Sequence, residues 1–166
     1  TYLLTRGNMT ERSIITMMVK RFFSVWQEAA SDLPEGRDRH QVITLASIVE
    51  KEAGEDRERP LIARVFLNRL QKDMRLQSDP TVIYGLETFD GDLTRTDLAA
   101  ETPYNTYVIS GLPPGPICNP GRRSITAVLH PADAPYLYFV SKNDGTHHFS
   151  KTLAEHNAAV RRYQKN

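Results

Sequence analysis

Cysteine is nearly missing: Cys118 stands alone in 166 residues, which excludes an internal disulfide and any zinc site built from several thiolates. An excess of one charge is missing too, with 21 Lys plus Arg against 20 Asp plus Glu. No basic footprint for nucleic acid or an anionic membrane results, and nucleic acid is not an expected partner. No apolar run approaches the ~20 residues that cross a bilayer, and the first residues lack a charged-then-apolar secretory pattern. Neither a P-loop, nor a G-x-G-x-x-G fingerprint, nor a G-x-S-x-G elbow occurs, so nucleotide, NAD and serine-hydrolase chemistry have no foothold. What remains is ordinary globular composition, 40% apolar and 25% charged, long enough to bury a core. One domain over residues 1–166 is expected, a soluble piece of a longer protein because the chain opens at Thr1 without an initiator Met.

Apolar residues at steps of three and four predict a long helix from Asn8 to about Ser31, through Ile14, Met18, Phe22, Val25 and Ala29. Asn8 and Glu11 resemble its capping box, Phe23 and Trp26 widen its buried face, the Met17/Met18 pair fills core, and Leu33-Pro34-Glu35-Gly36 stops it. A second helix is expected from about Asp38 to Ala53, with Val42, Leu45, Ala46 and Val49 on one stripe and Gly54 at its end. A third starts near Asp56 with Pro60 in its first turn. Asp79-Pro80 starts a short helix ended by Gly85, with Asp79 as its cap, and Thr94 to Asp97 starts another. The Pro- and Gly-rich stretch Gly111 to Gly121 reads as an ordered loop pinned by Leu112, Ile117 and Cys118. Ser124 to Leu129 suits a helix ended at His130, Tyr136 to Val140 a strand, Asn143-Asp144-Gly145 a turn and His147 to Phe149 the partner strand. Thr152 with Glu155 caps a last helix to about Tyr163. The expected class is α+β: mostly helical, with short strands and long ordered loops.

Two carboxylates near the end of the second helix carry the chemical interest. At helical spacing Glu52 lies over Ile48 and Val49, and Glu50 over Ala46 and Ser47, so Glu52 has the bulkier apolar flanks. Desolvation raises a carboxyl pKa, as a general acid near neutral pH requires. The alternative is a solvated pair bonded to Lys51, Arg57 or Arg59. His147, His148 and His156 with Glu155 lack metal-ligand spacing, so no metal is expected, and His156 is read as packing or capping the last helix. Cys118 has no base or oxyanion donor beside it in sequence. Gln77 to Tyr84 and Pro103 to Tyr107 crowd amide, hydroxyl and aromatic groups onto loops; that composition fits a saccharide site and equally fits turn chemistry with half-buried tyrosines.

The runs Leu45-Ala46-Ser47-Ile48-Val49-Glu50-Lys51-Glu52, Val65 to Leu70, Met74 to Gly85, Tyr104-Asn105-Thr106-Tyr107, Gly111 to Ile117, Tyr136 to Val140 and Glu155-His156-Asn157 together resemble the YceG-like (MltG) endolytic murein transglycosylases, in order along most of the chain. The resemblance implies a cofactor-free bacterial lyase that cuts peptidoglycan glycan strands between N-acetylmuramic acid and N-acetylglucosamine and leaves a 1,6-anhydromuramic end. It implies a single-pass inner-membrane protein whose N-terminal anchor and LysM-like module lie outside this chain. Its catalytic domain faces the periplasmic or extracytoplasmic side, and peptidoglycan synthases or division proteins are its partners. By motif the catalytic glutamate corresponds to Glu52. Other lytic transglycosylases place a serine after that glutamate, where this chain has Ala53. Substrate contacts are expected from Gln77, Asp79, Thr81, Tyr84, Tyr104, Asn105 and Tyr107, with Glu50 and Asn68 as supports, Asn68 and Arg69 bracing the helix pair, and the Gly111 to Gly121 loop as one groove wall. Two other readings share the groove: an inert glycan-binding or division scaffold, and a muramidase that uses water and a second carboxylate.

Overall fold

The apolar spacing places one helix at the centre of the core and arranges the others around it. In a computed structural model that describes residues 10–31 and 38–164, the order is α1 (Glu11–Ala29), α2 (Arg39–Glu52), a 3-10 turn (Asp56–Glu58), α3 (Arg59–Gln71), α4 (Asp79–Gly85), α5 (Arg95–Ala99), α6 (Arg122–Leu129), β1 (Tyr138–Ser141), β2 (His147–Ser150) and α7 (Leu153–Tyr163). The class is α+β and mostly helical, as expected. The Asp38 carboxylate opens α2 by accepting from the His40 and Gln41 N–H groups at 2.9 and 3.4 Å. Val42, Thr44, Leu45, Ala46, Ser47, Ile48 and Val49 are all buried. A helix buried nearly all round belongs inside the core, and α3 and α6 pack against it. Ile62, Ala63 and Phe66 of α3 and Ile125, Ala127, Val128 and Leu129 of α6 complete the cluster, each large side chain contributing about 1.5–3 kcal/mol on burial.

The helical core is joined to the strands by Phe66, whose ring meets Phe139 edge-on at 5.7 Å. β1 and β2 form an antiparallel pair in the register Tyr138↔Ser150 to Ser141↔His147, turned by Asn143 at φ 63 and Gly145 at φ 83. The positive φ values suit Asn and Gly at a hairpin turn. The Gly145 carbonyl also sits against the end of α2: a Cβ on Gly54 would lie 2.5 Å from that oxygen. α7, capped by Thr152 and Glu155 as predicted, packs on both strands.

Several expectations need correction. The predicted cap Asn8 and stop segment Leu33–Gly36 lie outside the described residues; α1 starts behind Thr10, whose capping box closes with Ser13. Much of it is not core, since Ile15, Met18, Val19 and Phe23 are exposed. Only Val25 and Ala29 are buried, while Phe23 and Trp26 lie under the Arg39 guanidinium at 5.1 and 5.2 Å. Asp79 does not cap α4, because Ser78 occupies the cap position without a side-chain bond. The strand starts at Tyr138 rather than Tyr136 because the preceding carbonyls go to α3 instead of a neighbouring strand. Arg64 Nε donates to Ala132 O at 2.5 Å and Asn68 Nδ2 to Ala134 O and Tyr136 O, both at 2.9 Å. Asn68 thus braces an irregular segment whose buried backbone needs partners.

Candidate active site

Glu52 is the last residue of α2, so its carboxyl leaves the core where the helix stops. It forms part of a cavity of about 350 Å³ lined also by Arg69, Leu76, Gln77, Asp79, Tyr107, Phe139 and His156. The Ser78 hydroxyl lies 2.5 Å from Glu52 Oε1, and Oε2 has no hydrogen-bond partner among the described residues. Burial pushes the Glu52 carboxyl up to about 7; the Ser78 bond opposes this, the Asp79 charge adds to it and Arg69 opposes it. A carboxyl that keeps its proton near neutrality and faces an open cavity is equipped for general acid–base work.

Local strain and a buried hydroxyl network hold Ser78 in place. Gln77 adopts φ 50, a left-handed conformation that costs a non-glycine residue on the order of 1–3 kcal/mol and turns the chain toward α2. Ser78 is 1% exposed. Its N–H donates to Thr106 Oγ1 at 2.9 Å, and its carbonyl accepts from Thr81 Oγ1 at 2.6 Å. Thr81 Oγ1 and Thr106 Oγ1 lie 2.8 Å apart, and Gln77 N–H donates to Thr106 O at 3.1 Å. Nearby, the Tyr107 hydroxyl donates to Asp79 Oδ1 at 2.6 Å. Burial and that acceptor push the Tyr107 phenol well up, so it stays a donor.

The seven expected contact residues therefore divide. Gln77, Asp79 and Tyr107 line the cavity with Glu52. Thr81 and Asn105 are fully buried and hold loops: Asn105 Nδ2 donates to Ala100 O at 2.7 Å and Leu98 O at 3.1 Å. An inaccessible side chain makes no sugar contact, so their expected role becomes support. Tyr84 and Tyr104 pair with each other, ring centroids 4.7 Å apart, and neither lines the cavity. Glu50 points away, bonded to Arg59 at 3.2 Å, Ser124 at 2.6 Å and the Gly121 N–H at 3.1 Å. Burial opposes its ionisation, but those two hydrogen bonds and the Arg59 charge outweigh it and hold Glu50 below the usual carboxylate range. The Gly111 to Gly121 loop is pinned as expected, with Ile117 N–H on Ser47 Oγ at 2.9 Å, but it serves Glu50 and is no wall of the Glu52 cavity.

Sequence reading missed Ser78, although its neighbours Gln77 and Asp79 were singled out. It missed Phe139 and His156 as cavity residues, and read Arg69 only as a brace. His156 stacks on Tyr138 at 5.2 Å; burial, then Arg69 and His148, lower its pKa from the ordinary 6.5. No cluster of metal-ligating side chains occurs among the described residues. Ala53 has no hydroxyl to offer Glu52, and Ser78 supplies one from another segment.

A helical domain that presents a carboxyl of raised pKa to a polar cavity has the arrangement that acid–base chemistry at a carboxyl requires. Residues 1–162 match the YceG-like family, and the chain belongs to it. It is similar to a Bacillus subtilis (strain 168) protein named endolytic murein transglycosylase, with 42% identity over 164 residues, 98% of this chain and 46% of the relative. A protein of the same name from Streptococcus pneumoniae serotype 2 (strain D39) is 34% identical over 127 residues, 73% of this chain and 23% of the relative. The 2.6 Å crystal structure of a YceG-like protein from Listeria monocytogenes superposes with a TM-score of 0.82 at 43% identity, over 95% of this chain and 52% of that one. The chain thus spans less than half the length of these two named relatives.

Proposed function

We propose that residues 1–166 form the catalytic domain of an endolytic peptidoglycan lytic transglycosylase that cuts the bond between N-acetylmuramic acid and N-acetylglucosamine within glycan strands. The observation that carries this reading is Glu52: a carboxyl raised to about 7, fixed through Oε1 by Ser78 in an open cavity. The relatives' shared name, endolytic murein transglycosylase, supports the same substrate.

Protonated Glu52 gives its proton to the glycosidic oxygen as the bond to muramic C1 breaks. The sugar's own acetamido oxygen supports the developing cation. The Glu52 carboxylate then takes the proton of the same sugar's C6 hydroxyl while O6 closes on C1, leaving a 1,6-anhydro end and a protonated Glu52 for the next cycle. Tethering the nucleophile to the reacting sugar supplies a high effective molarity, so one carboxyl suffices and no cofactor is called for. In this reading Gln77, Asp79 and Tyr107 bind the glycan around the scissile bond. The whole protein is placed at the inner membrane by an N-terminal anchor, with this domain on the periplasmic or extracytoplasmic side and synthases or division proteins as partners. The family resemblance supports that placement, and no described helix is long and apolar enough to cross a membrane.

Asp79 in the same cavity favours a second reading, a muramidase that uses Asp79 and water. Mass spectrometry of purified glycan strands treated with the parent and with Glu52→Gln separates the two. Anhydro ends made by the parent alone support the lytic reaction, and reducing ends mean hydrolysis. Binding without cleavage by the parent means an inert glycan-binding domain.

A further inference from the structure

The mechanism leaves one buried charge unused. Arg69 of α3 is 7% exposed, yet it lines the cavity beside Glu52. Its Nε donates to Leu137 O and its Nη1 to Leu76 O, each at 2.7 Å, and its guanidinium lies over the Tyr138 ring at 5.3 Å. These contacts satisfy two of its nitrogens, while Nη2 has no hydrogen-bond partner among the described residues. No described ion pair includes Arg69, and its charge reaches Glu52 only from a distance, lowering that carboxyl's pKa. Asp79, the other fixed charge of the cavity, is engaged by the Tyr107 hydroxyl.

A mostly buried cation that opens onto a cavity gains from an anion that joins it there. A purely structural arginine in α3 needs only its carbonyl contacts to Leu137, Leu76 and, at 3.5 Å, Arg75, and those leave Nη2 unused. Guanidinium groups recognise carboxylates through short, charge-assisted bonds. Resting on the glycan reading above, we infer that Arg69 Nη2 forms a carboxylate subsite of the cavity and selects glycan bearing a free carboxylate close to the scissile bond. Two sources share that chemistry: the lactyl carboxylate of a muramic residue without a stem peptide, and a carboxylate of the stem peptide itself.

The test uses Glu52→Gln protein, expected to bind without turnover, and calorimetry with three glycan oligosaccharides of equal length. One carries free lactyl carboxylates, one has them converted to neutral carboxamides, and one carries stem peptides. The free-carboxylate or the stem-bearing glycan is expected to bind roughly ten- to a hundredfold more tightly than the carboxamide, the range for a hydrogen bond to a charged group. The tighter of the two identifies the source. Adding Arg69→Gln is expected to erase the difference. Because Arg69 also holds three backbone carbonyls, Arg69→Lys, which keeps the charge, serves if the first variant does not fold, and it is expected to retain part of the preference. The comparison among ligands on the Glu52→Gln background stands even if neither Arg69 variant folds. Equal affinity for all three glycans overturns the subsite and leaves the glycan reading intact, as does a preference that survives Arg69→Gln. Failure of every glycan to bind overturns both.

Discussion

Glu50 and Glu52 belong to the same turn of α2, and their surroundings differ in nearly every respect. Glu50 faces α6 and finds a cation and two hydrogen-bond donors, so its burial is compensated and its charge is kept. Glu52 faces the 76–79 strip, finds one hydroxyl and retains its proton to about pH 7. The lesson is that acidity in this helix is set by what packs against each face. A pair that looks redundant in sequence becomes one ion-paired anchor and one carboxyl of raised pKa.

The sharpest way to break the comparison is to neutralise each glutamate in turn. Glu52→Gln is expected to lower cleavage of glycan strands by about 10²–10⁴-fold, the usual worth of a general acid, while leaving glycan binding measurable. In the parent, cleavage should fall as pH rises through about 7, where Glu52 loses its proton; a pH–rate profile without that limb would count against Glu52 as the acid.

Stability gives the next contrast. Since the folded Glu52 pKa is about 7 against an ordinary 4.5, the native state holds a proton that the unfolded chain releases between those values. Its contribution is therefore fully present below about pH 4.5 and lost as pH rises through about 7. At pH 8, Glu52→Gln is expected to be more stable than the parent by on the order of 2–3 kcal/mol, with little difference at pH 4; thermal melts at the two pH values check this. Glu50→Ala should act oppositely, costing about 1–3 kcal/mol at neutral pH because Arg59 and the Gly121 N–H lose their acceptor. Denaturant titration reads that loss. The smallest effect is expected from Ser78→Ala, which removes the one bond that lowers the Glu52 pKa by contact. Its basic limb should move upward while the maximal rate drops by about tenfold, and Ser78→Thr, which keeps the hydroxyl, should restore both.

The comparison also shows where sequence reading stops. The separation of Glu50 from Glu52 follows from helical spacing, because Ile48 and Val49 are apolar and adjacent. Thr152 with Glu155, Thr94 with Asp97 and the Asn143 to Gly145 turn were legible because each is a local signal within a few residues. Ser78, Arg69, Phe139 and His156 come from four separate segments, and only the packing of α3 and the hairpin around α2 brings them together. Local signals also misled where longer-range partners took over. Asp79 before Pro80 has the form of a helix cap, yet its carboxylate accepts from Tyr107 across 28 positions of sequence. The strand at Tyr136 starts late because Asn68 takes that residue's carbonyl. Apolar periodicity in α1 marks a face without saying whether anything covers it.

Gly54 carries a mechanical consequence. The hairpin tip rests on this residue so closely that a single methyl group would meet the Gly145 carbonyl. β1 and α7, which bring Phe139 and His156 to the cavity, are attached to that same tip. Position 54 therefore works as a shim between the two jaws of the groove. Thickening it would pry the far jaw from the Glu52 side and change the groove's width without altering any side chain that lines it.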